Sequence, residues 1–148
     1  MSLFGLNINC IADSNGSENL PIENKYRNLY KNDYEQFWSL MWSKRNEAFK
    51  CKNTNLVVDF IEVDSLTKGN AEIAEFFAEQ YEELFLNNPE CLLKALLKAK
   101  RNQREYVVNS LSMPIFNSQE KIRSIFKKYR DKNEYKEIIK MYFKNEDN

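Results

Sequence analysis

From Asp33 to near its end, the chain places apolar residues every three or four positions, the spacing that lines one face of an α-helix. Tyr34, Phe37, Trp38, Met41, Trp42 and Phe49 follow that spacing, with Arg45 the one charged residue in the row. A shorter helix is predicted over residues 21–30, because Pro21 suits a first turn. Residues 56–63 are ambiguous. Their β-branched content favours a strand, yet Leu56, Phe60 and Val63 keep helical spacing. No second strand exists to pair with them, so they read as helix. Asn70 caps a helix carrying Ile73, Phe76, Phe77, Tyr81, Leu84 and Phe85. Asn88 caps the next, with Pro89 at its first position and Leu92, Leu93, Leu96 and Leu97 along it. A helix with Tyr106, Val107, Val108 and Leu111 stops before Pro114. Asn117 and Glu120 have the spacing of a capping box for Ile122, Ile125, Phe126 and Tyr129. A turn at 130–133 leads to Tyr135, Ile138, Ile139 and Tyr142, and residues 144–148 are expected to fray.

Six to eight helices of roughly 10 to 18 residues, joined by short links, predict an all-α single domain of antiparallel helical hairpins over residues 21–143. From Asn70 onward the helix pairs repeat at roughly 40 to 45 residues. This spacing and apolar pattern resembles the HEAT and armadillo class of α-solenoids over about half of the chain. No repeat consensus matches residue by residue, so a short solenoid-like array and an irregular bundle both fit. The resemblance implies a scaffold that binds other proteins.

Composition narrows the chemistry. The 148 residues amount to one domain, and 43% hydrophobic residues suffice for a core. Three glycines and three prolines are too few for the turns of an all-β fold. The chain has no His, which excludes Ser-His-Asp and Cys-His nucleophile systems and HExxH zinc sites. Gly5, Gly16 and Gly69 are isolated, so no phosphate-cradling glycine loop can be written. Cys10, Cys51 and Cys91 form no CxxC pair. No catalytic residue, metal ligand or cofactor is therefore expected, and the chain reads as non-enzymatic. An enzyme built on a carboxylate or tyrosine centre ranks third among the readings.

The amino end differs from the rest. Residues 3–12 are apolar and uncharged, and they end in Cys10-Ile11-Ala12 ahead of the polar run Asp13-Ser14-Asn15-Gly16-Ser17. Small residues just before such a break suit a signal peptidase. Residues 1–20 thus read either as a leader that retains the tail of a secretory signal or as a plain terminal segment. The compartment stays open between bacterial periplasm or exterior and cytoplasm. In an exported chain Cys51 and Cys91 would pair as a disulfide; in a cytosolic one they would be small buried thiols. No stretch approaches the roughly 20 apolar residues needed to span a bilayer, so a soluble chain is expected.

Charge is balanced overall, with 22 basic and 22 acidic residues, but it is sorted along the chain. Residues 59–90 carry nine acids against one lysine, a net of −8, and residues 94–140 carry a net of +8. Glu72, Glu75, Glu79, Glu82 and Glu83 lie three or four apart and form a carboxylate ladder on one helix. Such a ladder is a solvated face, an internal partner for the basic half, or a docking surface for a cationic protein. The basic half carries the second reading, a nucleic-acid-binding accessory protein that uses an alternative rim from Lys98, Arg101 and Arg104 at one turn and Lys127, Lys128 and Arg130 at another. Zero net charge and the lack of a recognisable nucleic-acid module disfavour nucleic acid, and ordinary cation enrichment at helix carboxyl ends explains both clusters. Another protein is the expected partner, with a small bacterial immunity or adaptor protein as the concrete version. If Trp38 or Trp42 is exposed, their face becomes the leading binding site.

Overall fold

The computed structural model describes residues 21–146; the leader expected over residues 1–20, including Cys10, lies outside them. Eight α-helices follow in order: α1 (Ile22–Asn32), α2 (Tyr34–Phe49), α3 (Thr54–Leu66), α4 (Ala71–Asn87), α5 (Pro89–Lys98), α6 (Arg101–Ser112), α7 (Gln119–Lys128) and α8 (Lys136–Glu146). A 3-10 turn (Asn133–Tyr135) precedes α8, and there is no strand among the described residues.

Local chemistry sets most of the helix starts. The side chains of Asp33, Asn53, Asn70 and Asn88 accept from the backbone N–H groups of Gln36, Asn55, Ile73 and Cys91. Each cap satisfies a donor that the first turn would otherwise leave free. Gly69, at φ +97°, reverses the chain between α3 and α4 in the left-handed region open to glycine. The ambiguous segment at 56–63 is helical, with Val57, Phe60, Ile61 and Val63 turned inward. One local expectation is corrected. The cap of α7 is Ser118, not Asn117, whose side-chain amide is drawn away to Glu82 at 3.0 Å. Of the tail expected to fray, Lys144 to Glu146 belong to α8, with the Asn145 amide donating to Asn109 Oδ1, and residues 147–148 lie outside the described residues.

The packing is that of an irregular bundle. Besides its sequence neighbours, α3 packs on α5 and α6, α5 on α8, and α6 on both α4 and α8. A stack of hairpins would confine each pair to its neighbours. All these faces share one core that runs from Tyr26 to Tyr142. Within it Phe126 stacks on Tyr142 at 3.8 Å between ring centres and leans on Phe85 at 4.5 Å, tying α7 to α8 and α4.

The core also holds a carboxyl group. Asp64 is 3% exposed and accepts a hydrogen bond from Tyr81 Oη at 2.7 Å. Burial lifts its pKa from 3.8 to about 6, against the opposing pull of the Tyr81 hydroxyl and of Lys68. A pKa higher in the folded than in the unfolded chain means that the folded form binds the proton more tightly. Asp64 therefore favours folding below about pH 4, and that contribution fades as pH rises through 6. Asp64→Asn keeps an acceptor for Tyr81 without the charge. It is expected to raise unfolding free energy at pH 7.5 by roughly 1–3 kcal/mol relative to its effect at pH 4. Urea titrations of both proteins at the two pH values measure this, and equal differences at both would contradict it.

Candidate functional site

The ladder on α4 is divided by its neighbours into three parts. The first faces α1 and α2. Tyr30 Oη donates to Glu72 Oε2 at 2.5 Å and Tyr34 Oη donates to Glu72 Oε1. These hydroxyls, Tyr30 first, hold the Glu72 pKa below the usual carboxylate range, and the Glu72 bond raises that of Tyr34. At the other end Arg45 donates to Gln80 Oε1 and Glu83 Oε2, each at 2.9 Å. Its guanidinium lies 3.9 Å from the Phe49 ring centre and 5.9 Å from that of Trp42. The charged exception in the aromatic row is thus accounted for: stacked on rings, it reaches across to α4. Tyr34 meets Glu72, Trp42 meets Phe76 and Arg45 meets Glu83, so α2 and α4 run in the same direction.

The second part is Glu82, which is fully buried and not part of any surface. Its carboxylate accepts from the backbone N–H of Ile115 at 2.7 Å, the backbone N–H of Phe116 at 3.0 Å and the Asn117 amide at 3.0 Å. The expectation of an exposed Glu82 is corrected on this ground: it holds the loop between α6 and α7. The third part is Glu75, exposed, and Glu79, half-buried. Neither has a partner among the described residues.

Alongside these acids stands the aromatic row of α2. Phe37 and Met41 are fully buried, but Tyr34 is 49% and Trp42 47% exposed. Trp38 lies between them, edge-on to Tyr34, Phe37 and Phe76, its Nε1 near the Tyr34 hydroxyl without a well-formed hydrogen bond. Trp42 meets Phe76 edge to face at 5.2 Å between ring centres, lies under Arg45 and stays half exposed. The α2–α4 seam therefore presents Tyr34 over Glu72 and Trp42 over Phe76, with Glu75 and Glu79 within one turn of Phe76 along α4.

The residues of the alternative basic rim are divided between two grooves, and several of them are engaged within the protein. Arg104 folds back onto the end of α5, donating to the Leu96 and Leu97 carbonyls at 2.7 and 3.0 Å. This closes a helix terminus and leaves little of that side chain for a ligand. Arg101 pairs with Glu105 at 2.9 Å and Lys98 donates to Asn55 Oδ1 at 3.3 Å. Arg101 and Arg104 line a groove with Lys140 and Lys144, whereas Lys127 and Lys128 line another with Arg123. Arg130 lies over the Phe143 ring at 4.6 Å.

Cys51, in the α2–α3 turn, and Cys91, in the first turn of α5, are joined as a disulfide. No group of three or more potential metal ligands exists among the described residues. No described helix is long and apolar enough to cross a membrane. Met113, Ile115 and Phe116, exposed by 74%, 69% and 45%, were not singled out by periodicity. Their signal in the sequence is an apolar run around Pro114 where a polar turn is the norm. Compared with known families, curated proteins and solved structures, the chain matches none.

Proposed function

We propose that this chain is a non-enzymatic helical module that binds a cationic protein through the α2–α4 seam. The observation that carries this reading is Trp42, a large ring left 47% exposed over Phe76, on the helix that carries the two carboxylates without partners, Glu75 and Glu79. Exposed tryptophan and tyrosine anchor interfaces, and complementary charge speeds encounter and selects the partner. The absence of His and of glycine loops supports binding over catalysis. The Cys51–Cys91 bridge fits an oxidising compartment, in line with an exported chain. A small bacterial immunity or adaptor protein, which neutralises its partner by occupying it, combines these features.

The test is affinity capture from the periplasmic or secreted fraction of the source, comparing wild type with Glu75→Lys/Glu79→Lys and with Trp42→Ala. A basic protein held by wild type and depleted at least about tenfold by both variants is expected. A captured partner retained equally by both would remove the seam from consideration. The substituted side chains are all at least partly exposed, and melting temperatures within a few degrees of wild type confirm that the fold is intact.

A further inference from the structure

We infer that the loop at residues 113–117 is the second wall of this same site, and that the site takes a basic amphipathic helix. This rests on the seam reading and adds a segment that helical periodicity did not single out. At about 100° per residue, the α4 positions facing α2 (Phe76, Gln80 and Glu83) occupy one arc, and Glu82, facing the loop, lies on the other side. Glu79 and Glu75 fall in the arc between them. The acids without partners thus form a ridge, flanked by Trp42 on one side and by the loop on the other.

The loop is built to stay out. Its backbone is pinned by the buried Glu82, and its base is closed by the Gln119 amide donating to the Ser112 carbonyl at 3.1 Å. An apolar segment free to relax would fold its side chains inward; here Ile115 and Phe116 are held at 69% and 45% exposure. Fixing such a tip in advance removes an ordering cost from binding. The charge between the two apolar flanks is negative, which fits a cationic ligand and opposes an anionic lipid surface. Along α4, Phe76 under Trp42 and Glu82 under the loop are six residues apart, about 9 Å. A helix with apolar residues at both ends of one face, two or more turns apart, and Lys or Arg between them can reach both flanks.

The experiment selects binders to the intact, disulfide-bonded chain from a displayed library of helix-favouring peptides of roughly 15 residues. Enriched peptides are expected to carry Lys or Arg between two apolar positions. The best of them, made synthetically, should bind Ile115→Ser/Phe116→Ser at least about tenfold more weakly than wild type, with circular dichroism unchanged. The same loss is expected for Glu75→Lys/Glu79→Lys. If the loop variant binds as wild type does while Trp42→Ala loses binding, the loop is no wall and the seam stands alone. Enrichment of neutral or acidic peptides, or of none, overturns both. Sedimentation with phosphatidylglycerol vesicles that depends on Ile115 and Phe116 would assign the loop to a lipid surface and overturn the inference.

Discussion

Glu82→Ala is expected to destabilise the protein by about 3 kcal/mol or more, the largest effect of any single charged residue in the described chain. The substitution removes the acceptor of three donors at once, the Ile115 and Phe116 backbone N–H groups and the Asn117 amide. It also leaves a void beneath the loop, at a site sealed from solvent. Glu82→Gln separates the two contributions. It fills the same volume and keeps one acceptor oxygen but turns an amide donor toward N–H groups, so roughly half the loss is expected. Urea denaturation measures both, and hydrogen exchange at Ile115 and Phe116 reports whether the loop has come loose. A Glu82→Ala protein within about 0.5 kcal/mol of wild type would mean that the carboxylate holds nothing.

The second large effect is expected at the disulfide. Cys51 and Cys91 are 40 residues apart, so the bridge closes a long loop in the unfolded chain. By loop-closure entropy, opening it costs about 4 kcal/mol. Cys51→Ser/Cys91→Ser should therefore melt roughly 10–15 °C below the oxidised wild type. Wild type treated with reductant should move down to meet it. Coincident melting of oxidised wild type and the double variant would show that the unfolded chain gains no freedom when the bridge is absent. The two sulfurs tie the α2–α3 turn to the start of α5, on which α3 already packs. Reduction is thus expected to lower stability without abolishing the fold.

Much of the architecture was legible along the chain because its causes are local. Asn70 and Asn88 cap helices through their own side chains a few residues on, and Pro89 marks a first turn by its ring. Residues 56–63 could be assigned to helix by elimination, since a lone strand leaves its backbone unsatisfied. Where a distant group competes for the same atoms, local reasoning fails. Asn117 had the right spacing to cap α7, but its amide is bound by Glu82, 35 residues away in sequence, and Ser118 takes its place. The bundle in place of a solenoid has the same origin, because the contacts of α3 with α6 and of α5 with α8 leave no mark on either segment alone.

The candidate site divides in the same way. That acids and aromatic rings cluster on α2 and α4 follows from residue order and the 3.6-residue period, and both are written in the chain. Which acid is free is not. Glu72, Glu79, Glu82 and Glu83 are alike in type and spacing, yet one is gripped by two tyrosines, one is unpaired, one is buried under a loop and one is paired with Arg45. Periodicity specifies the angle at which a side chain leaves its helix. What waits at that angle, whether solvent, a cation or a row of backbone amides, is set by how distant helices come together to bury their apolar faces, and only the folded chain decides it.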